Sequence, residues 1–405
     1  MGPIYAYGLM VVGFSLFFVR LNHLTEYVFI ALVAIWAIEK LLTRDFQLRR
    51  TFLDWPIFLF LVWILVTGFF AVDSDYSLNE WRKALPRFLI FWFVVNAITT
   101  ECQVRSILFA SSLGLGVLSG VEVGYYFWNG GDLLDFSMSA ASRAGVFTGS
   151  SQWLGTYVVL GSPLAVLGLW SEPAGIRRVA YGVICSLLLA ALLLVHTRAS
   201  WLAFLIELVL FGLLVLLKGR WQVQKVMIIA SLVLLFILGL LGSGMVSLVA
   251  DSQVTNSATL ELRLNTWGFA IEQLVENPRM SLTGVGYGKH SFFKAFPDLG
   301  PGFHTHIHNS FLGRAMQVGL PGLLIFSLMF GMILVKSLRG WRACSHLYAG
   351  QLSLAIFLGT LGLIVRNLFD DMFVGTVVYV FCLFIGLLCA VFNLHDYGNT
   401  SRSNA

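Results

Sequence analysis

Apolar runs long enough to cross a lipid bilayer recur along almost the whole chain, and no soluble architecture accommodates them. They lie near residues 4–19, 24–39, 55–71, 85–99, 105–128, 152–170, 177–195, 200–217, 224–248, 309–335, 348–368 and 373–392. A helix needs about 20 mostly apolar residues to cross roughly 30 Å of hydrocarbon. Strands of a membrane barrel would alternate over about ten residues, whereas these runs are continuous. Charge content agrees: 12% of the 405 residues are Asp, Glu, Lys or Arg, and 58% are hydrophobic. Soluble domains carry about 25% charged residues. With 14% aromatic residues and so few charges, disorder and nucleic-acid binding are excluded too. The expected fold is an all-α polytopic membrane protein of about 12 transmembrane helices.

Sidedness follows from Lys and Arg in the short loops. Placing the N-terminus inside gathers the dense clusters Lys40-Arg44-Arg49-Arg50, Lys218-Arg220-Lys225 and Lys336-Arg339-Arg342 on one side. That side is expected to be cytoplasmic, with both termini in it. The N-terminal run lacks the basic region and small-residue cleavage site of a signal peptide, and is long enough to stay as a span. Five scattered cysteines (102, 185, 344, 382 and 389) show neither a disulfide framework nor zinc-ligand spacing.

One stretch breaks the pattern. Residues 249–308, between the ninth and tenth spans, are polar and far longer than an ordinary connection. Leu260, Leu262, Leu264, Trp267, Ala270, Ile271 and Leu274 fit one broad face of an amphipathic helix, which Asn277-Pro278 stops. Gly284-Val285-Gly286-Tyr287-Gly288 then makes a flexible turn, and Gly300-Pro301-Gly302 bends the chain into His304-Thr305-His306-Ile307-His308-Asn309. The expected organisation is three parts. Residues 1–248 hold spans one to nine, 249–308 form a periplasmic helical loop domain, and 309–405 hold spans ten to twelve with a short cytoplasmic tail.

Few residues in this chain can do chemistry. The glycine cluster has no strand before it and no Gly-Lys-Ser/Thr ending, so it fails as a nucleotide loop; its expected work is a close turn against the membrane domain. His304, His306 and His308 share a face only on a strand. They could order the loop, hold a metal or supply a proton acceptor, for which a side-chain pKa near 6.5 is suited. Glu122 and Glu207 lie in or near spans, either paired or close to an interface. Arg143, Arg198 and Arg263 all fall on the outer side, where topology does not require them. Each taken alone reads as a snorkelling or solvent-facing charge. Together, three planar, always-charged donor forks beside a membrane suit the phosphate of a lipid.

These residues sit in segments that resemble the signature of the O-antigen ligase and polymerase superfamily. The segments are Thr197-Arg198-Ala199-Ser200, the Glu261–Trp267 run with Asn277-Pro278 and Gly284–Gly288 after it, and His308-Asn309-Ser310-Phe311-Leu312. The last leads into Gly319–Phe326, again like the family. Arg143–Gly155 resembles a further family pattern, with Ser151-Gln152 where that pattern has Pro-Asn. The resemblance covers the whole layout, the large loop between spans nine and ten included. It implies a bacterial inner-membrane, multi-pass lipopolysaccharide ligase with its site facing the periplasm. Such an enzyme moves an O-antigen glycan from undecaprenyl diphosphate onto lipid A–core, inverting the sugar and using neither metal nor other cofactor. On that reading His308 is the general base. Arg198, Arg263 and Arg143 bind the diphosphate, and Asn309 and His306 support the site, Asn309 alternatively as a helix cap. The alternatives are an O-antigen polymerase or a protein O-oligosaccharyltransferase of the same superfamily and, outside it, a transporter or flippase.

Overall fold

A computed structural model describes residues 2–131, 145, 147–217, 253–300, 302–304, 306–344 and 347–403. Among them the regular structure is entirely helical. In chain order the helices are α1 (Gly2–Ser15), α2 (Asn22–Thr43), α3 (Asp54–Phe69), α4 (Ser74–Ala97), α5 (Glu101–Trp128), α6 (Ser151–Ser171) and α7 (Ile176–Leu194). They continue with α8 (Arg198–Leu217), α9 (Gln253–Glu276), α10 (Pro278–Thr283), α11 (Ser291–Ala295), α12 (Ser310–Ala343), α13 (Leu347–Leu368) and α14 (Gly375–Ser403). Seven of them, α5 to α8 and α12 to α14, are long and apolar enough to cross a membrane; α1 and α3 are apolar but shorter. This is the make-up of a multi-pass membrane protein. The run at 224–248, expected as the ninth span, lies outside the described residues.

Helix boundaries follow local chemistry. Thr100 and Gln103 form a reciprocal capping box at the start of α5, which satisfies two otherwise orphaned backbone donors. Asp73, Ser150, Asn277 and Asn309 cap α4, α6, α10 and α12 with their side chains. The Asp73 cap starts α4 at Ser74, eleven residues ahead of the expected span at 85. The extra turns carry Glu80, Arg82 and Lys83, polar residues that a search for apolar runs discards.

Helix ends sort onto two faces. On one, Gln103 donates to the Gly2 carbonyl at 3.2 Å, Arg49 reaches the Ile98 carbonyl, and His395 lies 3.7 Å from Glu101. On the other, Val72 donates to the Val285 carbonyl, Lys294 pairs with Asp73, and His308 meets Asp370. α14 runs through the middle: 83% of its most apolar window is buried, against 28% for α7. A helix apolar all round belongs inside the bundle, not at its lipid surface.

α12 is broken, and the break organises the segment leading to the site. Val318 and Gly319 leave helical geometry ahead of Pro321. A proline has no N–H and its ring clashes with the carbonyl four residues back, here that of Gln317. Each freed carbonyl finds a donor: Met316 from the Val285 amide (2.8 Å), Gln317 from the Gly286 amide (3.0 Å) and Val318 from the Trp63 indole (2.7 Å). In a bilayer an unmet backbone group costs several kcal/mol, so these three bonds make the break tolerable. They also define the work of the 284–288 glycine turn. Gly284 has φ +70°, and a Cβ there would stand 2.4 Å from the Gln317 carbonyl carbon; only glycine brings the two backbones together.

The helix expected at 260–274 is α9, but its apolar residues divide between two sides. Ala270 and Leu274 are buried with Trp267 packed against them, whereas Leu260, Leu264 and Ile271 are exposed. Among the described residues, only one part of the broad apolar face is covered.

Candidate functional site

The site is built where the 304–309 segment is clamped between α9 and the α13–α14 turn. α9 holds it from one side. The Thr266 hydroxyl accepts from the His304 amide at 2.9 Å, and the Trp267 indole donates to the Ile307 carbonyl at 2.6 Å. Asn309 then turns the chain into α12, its side chain accepting from the Phe311 and Leu312 amides at 3.0 and 3.1 Å. Between these fixed points His308 has φ +51°, a region that costs a non-glycine residue of order 1–3 kcal/mol. The strain is held by the clamps on both sides.

His308 is aimed at the short turn after α13. Its Nδ1 lies 3.0 Å from Asp370 Oδ1, and Asp370 Oδ2 lies 3.4 Å from the Arg366 guanidinium. Asp370 is buried, which alone would raise its carboxyl pKa. The hydrogen bond from His308, the charges of Arg366 and His308 and the Asp371 amide outweigh that and hold it at about 2. Asp370 is therefore an anion at neutral pH and accepts from His308. With Nδ1 donating to that carboxylate, the neutral form of the ring has its lone pair on Nε2, away from Asp370.

A second buried pair stands beside the first. Arg314 lies 3.8 Å from Asp371 and donates to the Phe373 carbonyl at 2.7 Å. The Ser310 hydroxyl is 2.5 Å from Asn367 Oδ1 and 2.8 Å from Asp371 Oδ1; its one proton serves one of them at a time. Each of the adjacent acids thus has its own arginine, and the turn carrying Asp370 is fixed to the first turn of α12.

Arg263 completes the cluster. It stands one turn before Thr266 and Trp267 on α9 and close enough to Arg366 for the two charges to act on each other. The Nε atoms of Arg263 and Arg366 are buried and donate to no described residue. Two guanidiniums with unused donors, next to an imidazole with a free lone pair, suit an anion bearing several oxygens.

The other expected residues divide. His304 and His306 come close to His308, with ring centroids 4.8 and 6.1 Å away, and His306 lies 5.2 Å from His290. Among the described residues no three His, Cys, Asp or Glu side chains converge as a metal site requires. Arg198 is exposed at the first residue of α8, and no described contact joins it to His308. Arg143 lies outside the described residues. The chain just after it is tied down by Glu122, whose buried carboxylate accepts from the amides of Gly145, Phe147 and Thr148 at 2.9, 2.7 and 3.0 Å. Of the two readings open for Glu122, this is the paired one.

Asp370 and Arg366 were not among the residues picked out from the sequence. A signal was present: Arg366-Asn367-Leu368-Phe369-Asp370-Asp371 sets three charges and an amide between two long apolar runs. In a span-rich chain such a knot needs a partner.

Residues 183–327, from within α7 to the middle of α12, match the family model described as O-antigen ligase. Over that stretch, about a third of the chain, the sequence is similar to the O-antigen ligase family. The matched stretch holds Arg198, Arg263 and His308, the residues through which the sequence resembles the superfamily. Asp370 and Arg366 lie beyond its end and are brought to it by the packing of α13 against α12. No curated protein matches the chain.

Proposed function

We propose that the protein is a lipid-linked-glycan-dependent glycosyltransferase, an O-antigen ligase. It moves a glycan from undecaprenyl diphosphate onto a hydroxyl of lipid A–core at the periplasmic face of the bacterial inner membrane. The observation that carries this reading is the His308–Asp370 hydrogen bond beside the unused donors of Arg263 and Arg366. His308 Nε2 takes the proton of the acceptor hydroxyl as its oxygen bonds to the anomeric carbon. The bond from that carbon to the diphosphate oxygen breaks, and undecaprenyl diphosphate leaves with the electron pair. Attack from the face opposite the leaving group inverts the centre. Asp370 holds the ring in the productive tautomer and stabilises the imidazolium as it forms, the role an orienting carboxylate plays for a catalytic histidine. Arg263, with Arg366 behind it, stabilises charge growing on the diphosphate. Arg198 and Arg143 belong to the same anion-binding set in this reading. His306 supports the His308 ring. No step requires a metal or other cofactor.

Twelve spans, both termini in the cytoplasm and the 249–308 loop in the periplasm form the topology of this proposal. The deciding test is acceptor identity. The purified protein is given a lipid-linked glycan with either lipid A–core, a second lipid-linked glycan or a pilin-like protein. Gain of mass on lipid A–core supports the ligase. Gain on the second lipid-linked glycan makes it a polymerase, and gain on the protein makes it an oligosaccharyltransferase. No transfer to any, with movement of the lipid between leaflets, would make it a flippase. Loss of transfer on adding EDTA, restored by a divalent ion, would return the histidines to a metal role.

A further inference from the structure

On the face opposite His308, the chain between α2 and α3 crosses the end of α4 and leaves a cavity of about 790 Å³. Its walls are mainly Phe46, Leu48, Trp55, Phe58 and Trp92, with Arg50 at the polar end. The volume is in the range of a small-molecule site. Gln47 is exposed in the same lining, whereas Asp54 and Arg49 are already engaged. Asp54 accepts from the Thr51 amide and hydroxyl, each at 2.7 Å, and from the Trp92 indole at 3.0 Å. The Arg49 guanidinium donates to the Ile98 carbonyl at 2.7 Å, and the Arg49 amide to Asn96. Arg50 is exposed and donates to no described residue. With Arg49 and Arg50 against Asp54, the polar end is net positive.

The apolar end opens onto lipid. Trp55, Phe58, Leu59, Val62, Val66 and Phe69 are exposed along one side of α3, whereas Ile57, Phe60, Leu61 and Ile64 face the core. The cavity therefore runs from the membrane-facing stripe of α3 to a free guanidinium at the level where that helix starts. Lys40, Arg44, Lys336, Arg339 and Arg342 are on the same face of the bundle. A face rich in Lys and Arg is the cytoplasmic one by the positive-inside rule, where the leaflet is anionic.

We propose that this cavity binds an anionic phospholipid of the cytoplasmic leaflet, its phosphate on Arg50 and the upper part of an acyl chain along Trp55 and Phe58. Apolar burial supplies affinity for any phospholipid, and Arg50 supplies the preference for an anionic one. The site is separate from the His308 cluster, and its occupancy does not depend on what that cluster does.

The test is native mass spectrometry of the full-length protein in detergent with equal phosphatidylglycerol and phosphatidylcholine. The wild type is expected to retain phosphatidylglycerol in preference. Arg50→Gln should reduce that preference about fivefold, the worth of one basic residue at an anionic leaflet, and Arg50→Lys should keep most of it. Trp55→Ala should lower retention of both lipids. Both side chains are exposed, so the variants are expected to fold; an unchanged melting temperature checks this. Equal retention of the two lipids by the wild type, or an Arg50→Gln preference equal to the wild type's, overturns the proposal. Displacement of phosphatidylglycerol by millimolar inorganic phosphate or glycerol phosphate would overturn it as well, since the site would then serve a soluble anion.

Discussion

His308 Nδ1 lies 3.0 Å from Asp370 Oδ1, across 62 residues of chain and two membrane helices. The bond joins the end of the polar loop to the turn between the last two helices. It fixes which nitrogen of His308 is free to accept a proton. If that nitrogen is the base, His308→Ala should lose about 10²–10⁴-fold in transfer rate while still inserting and binding the lipid-linked donor. His308→Gly should be the more stable of the two variants, because φ +51° suits glycine. Added imidazole should restore part of the activity of His308→Gly. Full transfer by either variant without imidazole would remove His308 from the mechanism.

Asp370 acts through His308 in this scheme, so their effects should not add. Asp370→Asn should lower the rate strongly alone and add little in the His308→Ala background, which a double-mutant comparison of kcat measures. Independent, additive losses would count against the coupling.

The same carboxylate links stability to acid. Its folded pKa, about 2, lies below the ordinary carboxylate value near 3.9. A depressed pKa contributes stability above the unfolded value, and that stability is lost as pH falls from about 4 to about 2. The contribution is on the order of 2 kcal/mol. Melting curves of the wild type should drop through that window, and those of Asp370→Asn should start lower at pH 7 and drop less. Identical slopes in the two proteins would refute the assignment.

The arginines should separate by burial. Arg366 is almost fully buried against Asp370, and removing one partner of such a pair costs about 3–5 kcal/mol, so Arg366→Ala should fail in folding. Arg263 is half-buried with an unused donor. Arg263→Ala should stay folded and weaken binding or departure of the diphosphate lipid, and Arg263→Lys should rescue poorly because a point charge lacks the fork. Wild-type kinetics in Arg263→Ala would exclude it from the anion site.

At the α12 break, Gly319 has φ +71°, and a Cβ there would stand 2.2 Å from the Leu282 carbonyl oxygen. Gly319→Ala should destabilise by more than about 1 kcal/mol. Trp63→Phe strips the Val318 carbonyl of its donor and should cost about 1–3 kcal/mol. Thermal unfolding in detergent measures both.

The sequence by itself determined the helical membrane class, because each apolar run must meet its own backbone hydrogen bonds once in lipid. It also marked a helix stop at Asn277-Pro278 and, as one of two readings, the cap at Asn309, where a side chain acts within three residues of itself, and the 249–308 segment as a structured exception. It pointed to His308 and Arg263 by residue type and by family resemblance. Only the tertiary structure joined His308 to Asp370, set Arg263 beside Arg366, and gave the Val285 and Gly286 amides to the broken helix. It also turned part of α9's apolar face outward. Each of those contacts spans at least thirty residues or depends on which side of a helix a neighbour covers. Local periodicity fixes where a helix forms and which residues share a face, but packing decides what that face meets.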